Sequence, residues 1–305
     1  MREPAKRLPV RASTSRKRRR WPGRILTVVV LVAVASGLLY TRSVLWGGSG
    51  NAAGGGVHIP GTDLVIGARS VHSSGDDAGG IPSSWPPVPA DASAHPLGRP
   101  PAKASSSHEF AFIATVDGGR PVAWDPCRPI HLVVNAADAP PHGNELLRSA
   151  VAQVSAATGL RFVFDGPTTE APSADRATED KVRYGDRWSP VLVAWTDPGT
   201  VPQLKGAVAG LAGPDGAPYI DADQQHWVSG SVDLDGPQLA GALRRPGGWQ
   251  VARAVVMHEL GHLVGLRHVP ERSELMYADT TGRTTFGPGD REGLRQLGLG
   301  PCFTE

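Results

Sequence analysis

The sequence predicts an α/β (α+β) domain over residues 108–305 of a 305-residue chain. Three observations lead there. Short, β-branched apolar runs recur: "PIHLVVN" (129–135), "LRFVF" (160–164) and "PVLVAWT" (190–196). Two longer runs, 144–159 and 247–265, have apolar residues at helical spacing. Strands and helices mixed in this order imply one sheet-and-helix domain of about 200 residues.

Each element has its own signal. In "NELLRSAVAQVSAATG" (144–159), Leu146, Leu147, Ala150, Val151, Val154 and Ala157 share one face, with Asn144 as the expected cap and Gly159 as the stop. Residues 166–187 are polar and read as a long loop, whereas 190–196 reads as a buried strand. "WVSGSVDLD" (227–235) alternates, placing Val228, Gly230, Val232 and Leu234 on one side, the pattern of a half-exposed edge strand. Residues 247–265 are helical up to Gly265, and "DREGLRQLG" (290–298) closes the domain as a short helix.

Upstream the composition changes. Residues 1–24 hold ten Lys/Arg and one acid, leaving 21 basic and 28 acidic residues for the remainder. The basic block is therefore a tail, not a nucleic-acid-binding face, and no nucleic-acid partner is expected. Residues 25–41, "ILTVVVLVAVASGLLYT", carry no charge. As a helix they span roughly 25 Å, the short end of a bilayer core. They read as a signal anchor, with 1–24 as a cytoplasmic tail and everything after Arg42 outside the cytoplasm. The alternative is a cleaved signal peptide with Ala33-Val34-Ala35 as its small-residue site, giving a secreted product. The anchor is favoured because Gly37-Leu38-Leu39-Tyr40 stays apolar beyond that site. Residues 42–107, rich in Gly, Pro and Ser, read as a disordered linker. Cys127 and Cys302 are the only cysteines. In an exported chain an even count suggests one disulfide, here from the start of the domain to its end, with two unpaired thiols as the alternative.

The densest chemistry lies in "VVMHELGHLVGLRH" (255–268). His258 and His262 are four apart, so a helix stacks both imidazoles on one face. Two ring nitrogens so placed can share one zinc at ~2.0–2.1 Å. Glu259 is rotated roughly 100° away, too far round for the best ligand but placed to reach a water on the open side of a metal. Gly265 ends the helix, and the returning chain brings His268 in as a third nitrogen. Three ligands and one open position make a catalytic rather than a structural zinc site. Glu259 is the expected general base.

This segment resembles the metzincin metalloproteases, whose elongated zinc motif HExxHxxGxxH it matches. Met276, in "SELMYAD", looks like their Met-turn, and its spacing and "LMY" order are most similar to the matrixin branch. "WDPCRPIHLVVN" resembles the first strand of such domains and "FGPGDREGLRQLG" their closing helix. The resemblance implies a metzincin-like catalytic domain: a twisted mixed sheet, an active-site helix and a C-terminal helix. It implies a zinc-dependent endopeptidase with one catalytic zinc and protein or peptide substrates. Such a substrate would lie extended beside the edge strand expected near Val228–Leu234.

The departures are local. Matrixins have Ser after the third histidine and Pro after the Met-Tyr pair, where this chain has Val269 and Ala278. Between residues 143 and 257 only His226 is present, so no second, structural zinc is expected. Residues 42–107 have no cysteine for thiolate latency, and Tyr277 is not an expected ligand. Asp221, Asp223, Asp233 and Asp235 could ligate calcium, although loop acids are usually merely solvated and nothing else in the sequence supports calcium. A reading of another class is a surface-anchored, non-catalytic zinc-fold binding module. The intact Glu259 argues against it.

Overall fold

The computed structural model describes residues 85–216, 225–279 and 282–303, together with two short strands, β1 (Val57–His58) and β2 (Val65–Ile66), which pair antiparallel. The run 25–41 lies outside the described residues. Among the described residues, no helix is long and apolar enough to cross a membrane.

The domain is built on a six-stranded mixed sheet. Its strands are β4 (Ala123–Trp124), β5 (Ile130–Asn135), β6 (Phe162–Pro167), β7 (Val191–Thr196), β8 (Gly210–Gly216) and β9 (His226–Asp235). The order β4-β9-β7-β5-β6 is parallel throughout, and β8 adds antiparallel to β9. All six residues of β7 are buried, as an uninterrupted apolar run in a central strand should be.

Helix α1 (Gly143–Thr158) buries Leu146, Leu147, Ala150, Val151 and Val154, the stripe expected from its spacing. It ends at Gly159, whose left-handed φ of 78° lets its N–H reach the Ser155 carbonyl. The expected cap is wrong. Asn144 lies within the first turn, and His142, at φ 61° and without a side-chain cap bond, precedes the helix. The turn is set one residue earlier, where the Gly143 N–H donates to the Pro140 carbonyl at 2.9 Å. Helix α2 (Lys181–Tyr184) is one turn inside the expected loop. Helix α3 (Gly236–Leu243) follows β9 and is capped by the Asp235 carboxylate, which accepts from the Gln238 N–H. Helix α4 (Gly248–Val264) packs on α1 and the sheet, and α5 (Pro288–Leu297) closes the chain.

Two further expectations are corrected. The first concerns β9, which is not an edge. It pairs with β8 on one side and with β4 and β7 on the other, and Trp227, Ser229, Gly230, Val232 and Leu234 are all buried. The edge next to it is β8, whose sequence "GLAGPDG" is turn-like by composition. Pairing with β9 overrides that weak local preference, and Pro214 is tolerated because edge strands admit proline.

The second correction concerns residues 85–107, expected within the linker. They form a belt on the domain. Trp85 packs edge-on against Trp188 and His226, with ring centroids 5.7 and 5.9 Å away. Asp91 pairs with His131 at 2.9 Å, the Ser93 N–H donates to the Cys127 carbonyl, and the Leu97 N–H to that of Pro126. The belt continues into β3 (Ala111–Phe112), which pairs antiparallel with β10 (Leu266–Arg267). A segment without periodicity cannot form its own core. It can still be ordered by the hydrogen-bonding groups and aromatic rings of a surface it lies on. Cys127 and Cys302 are disulfide-bonded across 175 residues, with Cα atoms 5.4 Å apart.

Candidate metal centre

The three histidines meet. The Nε2 atoms of His258 and His268 are 2.9 Å apart, and His262 Nε2 lies 3.1 Å from each. Helix α4 supplies the first two. Gly265, at φ 120°, breaks it, and β10 then runs directly to His268. The break is well secured. The Trp124 indole N–H donates to the Leu263 carbonyl at 2.9 Å, and the Ile113 N–H donates to the Gly265 carbonyl at 2.9 Å. Orphan carbonyls at the helix end are thereby satisfied.

The outer ring nitrogens set the tautomers. His258 Nδ1 donates to the Leu275 carbonyl at 2.7 Å, and His262 Nδ1 to the Leu266 carbonyl at 2.8 Å. Each Nε2 is then left with a bare lone pair facing the other imidazoles. Burial lowers the pKa of His258; burial and the neighbouring imidazoles hold His262 well below the usual value. His268 falls to about 4, through burial first and then the His258 and Arg267 charges. The ring nitrogens are therefore unprotonated donors converging on one point, a set that needs a cation. Tetrahedral zinc spaces its nitrogens about 3.3 Å apart, so the rings need to open by only a few tenths of an ångström. Among the described residues, the other metal-capable cluster is Asp125 with Cys127 and Cys302, whose sulfurs are already joined.

Glu259 is 7% exposed and points to the sheet, against Gly210 at the start of β8. Burial pushes its carboxyl up to about 8, and the Asp233 carboxylate adds to the shift. A dication at the histidines acts in the opposite direction.

Met276 is buried beneath α4. A Cβ at Gly261 would come within 2.7 Å of its sulfur, so this glycine makes the close approach possible. The methionine turn is hooked to the third histidine's segment, because the Val269 N–H donates to the Met276 carbonyl at 3.0 Å. Tyr277, half-buried, accepts a hydrogen bond from Arg272 at its hydroxyl.

Sequence reasoning missed the groups that hold this turn. The Asp290 carboxylate accepts from the N–H groups of Leu275 (2.5 Å), Gly287 (2.8 Å) and Met276 (3.3 Å). Glu274, also buried, accepts from the Asp290 N–H at 2.9 Å. Burial and the Glu274 charge push Asp290 up to about 6 against the opposing pull of its backbone donors. In the sequence, Asp290 read only as the first residue of the short closing helix. Of the proposed calcium acids, Asp221 and Asp223 lie outside the described residues, and Asp235 serves as the α3 cap.

The matrixin family model matches residues 199–297. Over this segment the chain is similar to the matrixins, a family of zinc metalloproteases, and the three clustered histidines fit their metal-binding motif. The segment takes in β8, β9, α3, α4, the three histidines, the methionine turn and α5. The matched segment shares its sheet and core with β5, β6, β7 and α1, which precede the match. No curated protein matches the chain significantly.

Proposed function

We propose that the chain is a zinc-dependent endopeptidase acting outside the cytoplasm, with His258, His262 and His268 as the zinc ligands and Glu259 as the general base. The observation that carries this reading is the convergence of three imidazole Nε2 atoms within 3.1 Å of one another, with Glu259 buried on the same helix. Bound zinc supplies Lewis acidity, acidifying a water and polarising the scissile carbonyl. The Glu259 carboxylate takes the attacking water's proton and later delivers it to the leaving amine. The peptide lies extended along the outer edge of β8, which is unpaired among the described residues, and adds a strand there. This replaces the edge expected near Val228–Leu234.

The test uses the full chain. Glu259→Gln keeps the shape and all three imidazoles, so zinc stoichiometry stays at one while peptide cleavage falls about 10²–10⁴-fold. Cleavage at the parental rate would remove Glu259 from the mechanism. A parent chain that holds zinc and cleaves no peptide would favour the binding-module alternative.

The topology proposal rests on the charge pattern of residues 1–41. They hold the chain in the cell membrane by a single span, with the domain from the belt onward on the extracytoplasmic side, where the disulfide is stable. Fractionation with external protease checks it: a soluble product starting at Ser36 would show secretion instead.

A further inference from the structure

We infer that Gly210 is a positioning residue for Glu259: the missing side chain at the first position of β8 holds the carboxylate in its working place. The inference rests on the reading of Glu259 as the base.

The geometry is specific. A Cβ built on Gly210 would lie 2.6 Å from Glu259 Cγ, 2.9 Å from Cδ and 3.0 Å from Oε1, and these are its three nearest neighbours. A methyl group there therefore meets the catalytic side chain before anything else. Neither backbone is free to retreat. Gly210 is opposite Leu234 in the β8–β9 ladder, and the preceding Ala209 carbonyl accepts from the Asp235 N–H at 3.0 Å. Gln238 ties down the approach, its side-chain amide donating to the carbonyls of Gly206 and Val208. On the other side, Val256, Met257, Leu260, Leu263 and Val264 of α4 are all in the core. The part that can move is the Glu259 side chain, by rotation away from the strand.

Nothing in the strand itself demands glycine here. Gly210 is not among the positive-φ positions, so its backbone admits alanine. At such a position Gly→Ala ordinarily stabilises by restricting the unfolded chain. A sign reversal follows. Gly210→Ala lowers the thermal midpoint in the native background, where Glu259 is crowded. In an Glu259→Ala background, which removes Cγ and the carboxylate, the same substitution raises the midpoint or leaves it unchanged.

The experiment is a four-member cycle on the full chain: parent, Gly210→Ala, Glu259→Ala and the double variant. Thermal unfolding is measured on zinc-free protein, and zinc content and peptide kinetics on loaded protein. For Gly210→Ala, we expect one zinc per chain, a kcat lowered on the order of 10²-fold by misplacement of the base, and a KM close to parental. We expect no further loss of residual activity on adding it to Glu259→Ala. Equal midpoint losses in both backgrounds would overturn the contact, and a parental kcat in Gly210→Ala would overturn the positioning role. The unfolding arm needs no turnover, so it decides the contact even if the parent cleaves no peptide and the protease reading fails. If Gly210→Ala alone does not fold, the double variant still reports: its folding supports the inference, and its failure overturns it.

Discussion

The two walls of the metal centre are made in different ways. The helix wall, α4 with the methionine turn and α5, works through side chains: three imidazoles, a carboxylate, a thioether and the buried Asp290. The strand wall, β8 with β3, works mainly through backbone and absent side chains. Gly210 makes room for Glu259, β3 pairs with the strand leading to His268, and the Ile113 N–H caps Gly265. Chemistry is concentrated in the first wall and alignment in the second. Damage to the helix wall should therefore abolish function, whereas damage to the strand wall should detune it.

The largest expected effect tests the helix wall directly. His262→Ala leaves two imidazoles, so the purified chain should lose its stoichiometric zinc by metal analysis. Losing several kcal/mol of transition-state stabilisation should lower peptide cleavage by at least about 10³-fold. Retention of zinc and cleavage would dissolve the distinction between the walls.

An intermediate effect is expected at Asp290, which touches no imidazole but holds the Leu275–Met276 backbone. Leu275 in turn accepts from His258, so Asp290→Asn should weaken zinc binding about 10-fold in competition with a chelator. A pH signature accompanies it. The folded-state pKa of Asp290 is raised from 3.8 to about 6, so the native chain binds the proton more tightly than the unfolded chain. The resulting stabilisation is present below about pH 4 and is lost as the pH rises through about 6. Denaturant titrations of the parent across that window should show this loss, and Asp290→Asn should flatten it. An unchanged slope would mean that the Asp290–Glu274 pair is not the source.

The smallest effect belongs to the belt. Trp85→Ala removes two edge-on contacts and should cost about 1–2 kcal/mol of stability, with zinc stoichiometry and cleavage close to parental. A large loss of zinc affinity would instead make the belt's far end part of the metal centre.

Apart from Asp290, the helix wall was legible in the residues alone. His258, Glu259, His262 and Gly265 are fixed relative to one another by the geometry of a single helix and its stop, and His268 and Met276 follow within a few residues. The β-branched runs of β5 and β7, and α1 with its left-handed Gly159, were legible for the same reason: each signal is local and periodic. Tertiary structure alone decided the strand wall. "GLAGPDG" becomes a strand only because β9 offers it a ladder, and β9 lost its expected edge position to that pairing. Residues 85–107 are ordered by a surface built from residues far along the chain. Asp290 serves the methionine turn through backbone groups 14 and 15 residues away. Periodicity records which face of an element is buried; it does not record which backbone groups, or which missing side chains, a distant segment will need.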